Sequence, residues 1–304
     1  MTVQAPEQSA RPGAQPAAAL PLRQSRSPLV NWLRRRDLDL WIPGVILAAL
    51  LAGCFILPLT GVVPDPMAGD LTQVLRPPLS PGHILGTDTI GRDVLSRILY
   101  GGRTSLEIGV AVNVIGIVAG GLIGMFAGFR RGVLDSLIMR VLDVMLAFPP
   151  IMLVLLILAV TPPSLLKTAI AIGVLAVAPI ARVTRSVTLD LMSGEFMEAA
   201  RARGERLHYM LLRELLPNVW PVLMVEASLR VVFAVLLGAV LSFLGFGVQP
   251  PAADWGLMIS NGRAFVDTAP WISLAPGIAM SITVIAISLV GDGLREVLDP
   301  KVGR

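Results

Sequence analysis

The chain has 304 residues, of which 54% are apolar, 15% charged and 5% aromatic, with a formal charge of +4. A water-soluble domain this apolar would leave large greasy patches in water. The basic excess sits at the ends of apolar blocks, which points to a membrane rather than to nucleic acid, and the one cysteine, Cys54, excludes an intramolecular disulfide framework and a cysteine-rich metal site.

Residues 1–30 are rich in Pro, Ala, Ser and Gln and contain no aromatic side chain, the composition of a disordered cytoplasmic tail. Arg34, Arg35 and Arg36 precede the first apolar block, Leu40–Leu57, so residues 31–58 read as juxtamembrane arginines and a first span. Leu51-Ala52-Gly53-Cys54 matches a bacterial lipobox. The leader is long for a lipoprotein signal, and Phe55-Ile56-Leu57 continues the block where a mature lipoprotein turns polar. An uncleaved span is therefore the expectation, and an intact mass distinguishes the two.

Residues 59–103 read as an external loop. Asp88 and Thr89 suit a turn or cap. Val94, Leu95, Ile98 and Leu99 form an apolar stripe with Arg92, Asp93, Ser96 and Arg97 elsewhere, which predicts a short amphipathic helix on the external membrane surface. His83 lies near Asp88 and Asp93, so a surface cation site is the alternative to turn-forming and helix-capping carboxylates. The capping reading is simpler, and the expectation is no metal.

Five more apolar blocks follow at about 104–128, 136–160, 165–186, 219–246 and 271–291. Each is long enough, at ~1.5 Å per residue, to cross a ~30 Å hydrocarbon core. Residues 104–292 thus form a core of five spans, followed by a cytoplasmic tail at 293–304. Pro149-Pro150 and Pro179 predict kinks in the third and fourth spans. Gly116, Gly120, Gly124 and Gly128 recur every four residues in the second span, predicting close helix packing within the bundle or against a partner subunit. Glu226 and Arg230 share a face of the fifth span and are expected to pair, either lining a pathway or only lowering an insertion cost. Arg140 and Asp143 invite the same two readings. Gly291 and Gly293 are expected to let the sixth helix stop and turn.

With the N-terminus placed inside, 17 of the 25 basic residues fall on the cytoplasmic side and 6 outside, with Arg140 and Arg230 in spans. Both termini are therefore expected in the cytoplasm. Trp32, Trp41, Trp220, Trp255 and Trp271 all fall near span ends or in loops, as interfacial tryptophans do. The fold class expected is an all-α membrane protein of about six transmembrane helices.

No phosphate-binding loop is present, since Lys167 follows Leu166 and Lys301 follows Pro300. His83 and His208 are far apart and outside any zinc-protease motif. No catalytic constellation remains. The most informative stretch is 188–218. A charged helical run, Glu195–Arg203, meets Gly204, and a second run, Glu205–Leu216, is expected to end at Pro217. This predicts a helical hairpin on the membrane surface that a soluble partner can bind.

The wording of that hairpin identifies a family. Glu198-Ala199-Ala200, three residues, Gly204 and then Leu216-Pro217 resemble the EAA loop of ABC-importer permeases. The position where that loop often carries Ile, three before the proline, is Glu214 here. Residues 83–97, Ala147-Phe148-Pro149, Leu241–Gly245, Asp254-Trp255-Gly256, Gly291–Arg295 and Leu298-Asp299-Pro300 look like the C-type permease of dipeptide and oligopeptide importers. The resemblance spans about residues 40–301 and implies the type I ABC-importer permease fold in the bacterial inner membrane. It implies a homologous second permease, two ATPase subunits that bind ATP and Mg, an extracytoplasmic substrate-binding protein, membrane lipid and no nucleic acid. It further implies that Glu195, Glu198, Ala199, Ala200, Arg201, Gly204, Leu216 and Pro217 couple the chain to the ATPases. Peptides, nickel chelates and glutathione are the substrates of such relatives. A self-contained channel or secondary transporter is the competing class. It would need no ATPase, but no inverted repeat is evident within the chain.

Overall fold

The computed structural model describes residues 41–160 and 162–298. The tail at 1–30, the arginines at 34–36, Trp32 and residues 299–304 lie outside the described residues. Helix α1 spans Trp41–Thr60, α2 Val94–Arg130, α3 Val133–Ala147, α4 Pro150–Ala159 and α5 Leu165–Leu191. A short helix, α6, covers Glu195–Ala202. Helix α7 spans Leu207–Phe243, α8 Trp255–Gly262 and α9 Trp271–Leu298.

Five of these helices are long and apolar enough to cross a membrane singly, and α3 with α4 forms a sixth candidate bent by 90°. The bend has a local cause. A residue before proline is pushed out of the helical region. Phe148 precedes Pro149, and Pro149 precedes Pro150, so both adopt extended ψ, 142° and 128°. Pro150 then opens α4 in the first turn, where its missing N–H costs nothing. Pro179, by contrast, sits inside an unbroken α5.

Packing of α2 on α5 decides whether the bent pair crosses. A Cβ on Gly116 would lie 2.9 Å from Ala176 Cβ, one on Gly120 2.9 Å from Ile180 Cβ, one on Gly124 2.7 Å from Thr184 Cβ, and one on Gly128 2.8 Å from Thr188 Cβ. Each step of four residues on α2 meets a step of four on α5 in the same direction. The two helices are parallel and in backbone contact, so the chain between them must travel back across the bundle. Helices α3 and α4 make that return, which gives six crossings. Helix α7 runs antiparallel to α2, with Gly109 against Val235 and Gly121 against Leu223. The glycine row thus packs within the chain.

The main core lies where α2, α5, α7 and the α6 segment meet, around Ile108, Met125, Ile172, Met197, Leu215 and Leu241. A second cluster at the external end joins Cys54, Val94, Leu106, Trp255 and Ile287. Outward-facing side chains are apolar as well, for example Val110, Val114, Val118 and Leu122 along α2. An aqueous surface would carry charge there, whereas lipid accepts these residues.

Four expectations are corrected. No separate amphipathic helix precedes the second span. Val94 opens α2 itself, and the 59–103 boundary falls inside a continuous helix. Its polar side is buried because the external segment folds over it. Arg97, 3% exposed, donates to Pro66 O at 3.0 Å and lies 3.7 Å from Asp88 Oδ2, while Ser96 Oγ donates to Pro64 O. The last helix does not stop at Gly291 or Gly293 but continues to Leu298. Gly291 instead admits Ser228, whose Cβ would lie 2.7 Å from a Cβ there. Pro217 does not end the hairpin's second arm. A π turn at Met210–Leu215 leads directly into Leu216–Phe243, with Pro217 in its first turn, so the wide turn absorbs the proline. Trp255 is not interfacial. It is 1% exposed, and its Nε1 donates to Ile98 O at 3.0 Å. Trp41 and Trp220 are exposed at 70% and 47%.

The external end is closed by a polar knot. Asp254 caps α8 by accepting from Leu257 N at 3.1 Å, and Ser105 Oγ of α2 donates to it at 2.7 Å. Burial pushes the Asp254 carboxyl above the ordinary range, more than its hydrogen bonds, led by Ser105, pull it down. The folded state thus favours the neutral acid. This contribution to stability is fully present below the ordinary Asp range and is lost as pH rises through the raised value.

Three outcomes follow. Asp254→Asn should gain melting temperature relative to wild type as pH rises from about 4, measured on the detergent-purified protein; a parallel pair of pH profiles would refute the assignment. Gly124→Ala drives a Cβ into Ala181 O and Thr184 Cβ and should destabilise by about 1–3 kcal/mol. Gly121→Ala meets only the end of Leu223 at 3.4 Å. It should be neutral or stabilising, since alanine favours a helix by up to ~1 kcal/mol over glycine.

Candidate functional site: the α6–α7 hairpin and the intramembrane charges

Helix α6 begins after Gly194, with Glu195 and Glu198 in its first turn and Arg201 in its last, the arrangement its macrodipole favours. Met197 and Ala200, three residues apart, form its inner face and are fully buried. They pack in the main core with Met192, Met210 and Leu215. Glu195, Glu198, Ala199, Arg201 and Arg203 point outward and are exposed. The small side chain of Ala200 lets the helix lie close to the bundle, and Ala199 leaves the outer face low.

Gly204 closes the helix with φ of +70°. Its N–H donates to Arg201 O at 2.9 Å, and Glu205 N–H donates to Ala200 O at 3.2 Å. These two bonds form a Schellman cap, which requires a left-handed residue at this position. No side chain crowds Gly204, so the need for glycine is conformational.

Glu214 explains itself in the same structure. Arg203 donates to Glu214 Oε1 at 3.0 Å, tying the two arms together across the turn. Leu215 takes the fully buried place, and Leu216 packs beside it. Pro217 is exposed at the start of the regular helix. The hairpin therefore continues into α7 as one helical run.

One level deeper, Glu226 and Arg230 form an ion pair on α7. Arg230 Nε and Nη2 donate to Glu226 Oε1 at 2.8 and 2.6 Å. Arg230 lines a cavity of about 190 Å³ at the α3–α4 break, beside Phe148, Pro150, Pro179 and Phe233. Asn113 of α2 donates to Ala227 O at 2.8 Å on the neighbouring face.

The same-helix pairing weighed for Arg140 and Asp143 does not form. Asp143 reaches Arg182 of α5 instead. Asp135 is held by the Arg185 fork, Nε to Oδ1 at 2.5 Å and Nη2 to Oδ2 at 2.6 Å. These two pairs tie α3 to α5 and were not legible from spacing, because the partners are 39 and 50 residues apart.

In the external segment, His83 Nδ1 lies 2.9 Å from Asp93 Oδ1 and Nε2 lies 3.1 Å from Gln73 Oε1. Asp93 Oδ2 caps α2 through Ser96 N–H at 2.7 Å. Asp88 accepts from Ile90 and Arg92 N–H and from Arg92 Nε. Both carboxylates are thus engaged in turn and cap geometry. Cys54 is buried in α1 against Gly102.

Comparison with known proteins agrees with this architecture. The family model described as binding-protein-dependent transport system inner membrane component matches residues 120–304. The di/tripeptide transport system permease protein DppC of Pseudomonas aeruginosa is 40% identical over 218 residues, covering 72% of each chain. The glutathione transport system permease protein GsiD of Pectobacterium atrosepticum is 38% identical over 222 residues, covering 73% of this chain and 74% of the relative. Among solved structures, an inward-facing form of the MetNI methionine ABC transporter superposes with a TM-score of 0.56 at 19% identity, over 67% of this chain and 96% of that one; this likeness concerns the fold. The chain belongs to the binding-protein-dependent transport system inner membrane components, and it is a multi-pass permease subunit of an ABC importer.

Proposed function

We propose that this subunit forms half of a translocation path for short peptides and is driven through the α6–α7 hairpin. The observation that carries this reading is the continuity of α7. It runs for 37 residues from the hairpin to the external end, about 55 Å at 1.5 Å per residue. A displacement of α6 in the cytoplasm is thereby delivered to Glu226 and Arg230 and to the knot at Asp254. The exposed face of Glu195, Glu198, Ala199 and Arg201 is the surface offered to an ATPase subunit. Leu216 and Pro217 set where the arm becomes a rigid strut.

The chain lacks a phosphate-binding loop, so ATP and its Mg fall to partner ATPases. A homologous second permease completes the path, and an extracytoplasmic binding protein delivers the substrate. ATP can bias the gate only if the hairpin binds the two ATPase states unequally. The peptide assignment is supported by the relatives, whose names specify di/tripeptide, dipeptide and glutathione transport. Peptides and glutathione share a free carboxylate and an ammonium group. A self-contained channel is disfavoured by the built hairpin and is distinguished by co-purification, since it requires no ATPase or sister permease.

Proline cannot adopt the +70° φ of Gly204. Gly204→Pro should therefore abolish peptide uptake while the subunit still inserts and co-purifies with its sister permease. Gly204→Ala, whose left-handed strain costs about 1–2 kcal/mol, should reduce uptake partially. Uptake at the normal rate in Gly204→Pro proteoliposomes would show that the hairpin does not couple.

A further inference from the structure

Two arginine–carboxylate pairs that brace the helices around the bent third span, Arg185–Asp135 and Arg230–Glu226, differ in how they use the carboxylate. Arg185 places Nε and Nη2 on separate oxygens of Asp135, so both oxygens of that carboxylate are engaged. Arg230 places both Nε and Nη2 on the single oxygen Oε1 of Glu226. Glu226 Oε2 and the Nη1 side of the Arg230 guanidinium have no partner among the described residues. Both side chains keep some exposure, 27% for Arg230 and 14% for Glu226. Arg230 is the one charged side chain lining the cavity of about 190 Å³ at the α3–α4 break, whose other walls are apolar residues such as Met145, Phe148, Leu175 and Phe233.

We infer that Glu226 and Arg230 form a transit site for the charged ends of a short peptide. The open guanidinium edge takes the C-terminal carboxylate, and the free Glu226 oxygen takes the terminal ammonium. This inference rests on the peptide reading above and adds the recognition chemistry. Peptide side chains vary, whereas the zwitterionic backbone is common to all. An apolar cavity walled by the Arg230 guanidinium, with Glu226 paired to it from one helical turn before, reads only that common part.

The pairing also suits passage rather than capture. A lone guanidinium in a low-dielectric wall would be costly and would hold a carboxylate tightly. With Glu226 already in place, the internal pair through Oε1 persists while the peptide ends add at the open edge and the free oxygen, and departure leaves that pair intact. Transport needs this balance, favourable enough to enter and weak enough to leave. A dipeptide's ends lie about 7 Å apart when extended, a span that side chains at i and i+4 can bracket.

The test uses the full complex in proteoliposomes, comprising both permeases, the ATPases and the binding protein, with Ala-Ala as the probe. Arg230→Lys retains a charge to pair with Glu226 but loses the planar edge. It should assemble normally and lower the maximal uptake rate several-fold, with KM unchanged because the binding protein sets it. Glu226→Gln with Arg230→Gln leaves no unpaired charge and should lower the rate at least about tenfold, the effect of losing a charge-assisted hydrogen bond. Wild-type uptake by Arg230→Lys would overturn the inference even if the double variant failed to assemble. A loss that appeared in KM alone would also overturn it. If the wild-type complex took up no Ala-Ala, the peptide reading itself would fall, whereas normal wild-type uptake with indifferent variants would remove only the transit site.

Discussion

Backbone contact between α2 and α5 governs the rest of this architecture. Gly116, Gly120, Gly124 and Gly128 have no side chains to hold the helices apart, and each faces a residue sixty positions later on a parallel helix. Parallel neighbours in one chain require a return crossing between them. That requirement makes the 90° bent pair α3–α4 a true crossing and sets the number of spans at six. Because α2 and α5 are parallel, the hairpin after α5 lies on the same side as Arg130 and Arg131 at the end of α2.

The bend itself stores a second consequence. Two consecutive residues before prolines force the chain out of the helical region, and a cavity opens beside Pro179 and Arg230. The cross-helix pairs Asp135–Arg185 and Asp143–Arg182 hold the cytoplasmic arm of this span against α5. The cavity is therefore bounded by an anchored arm on one side and the α7 strut on the other.

Helix α7 joins the features that bear on transport. Its cytoplasmic end carries the Schellman-capped hairpin, its middle carries Glu226 and Arg230, and its external end meets α8, where Ser260 Oγ donates to Phe243 O at 2.8 Å. Family membership says that such a subunit works with ATP-hydrolysing partners. The continuity of α7 is the route that the proposed coupling would use.

Much of this was legible in the sequence because hydrophobic block length, arginine distribution and proline position act locally. Six apolar blocks, the break at Pro149-Pro150, the left-handed turn at Gly204 and the i,i+4 pair Glu226–Arg230 all depend on residues within a few positions of one another. The EAA-type wording placed the hairpin for the same reason. What spacing alone did not disclose were the relations between distant segments. Arg97 and Ser96 look like the polar face of a surface helix, and only the external segment folding over them makes them buried. Trp255 looks interfacial until its indole N–H is seen donating to Ile98 O, 157 residues away in sequence, within the external cluster. Asp143 sits three residues from Arg140 yet pairs with Arg182. Sequence thus determined the spans, the turn and the orientation. Tertiary structure decided which polar groups are buried, which charges meet and where the cavity opens, because each depends on helices brought together by close packing rather than on neighbours along the chain.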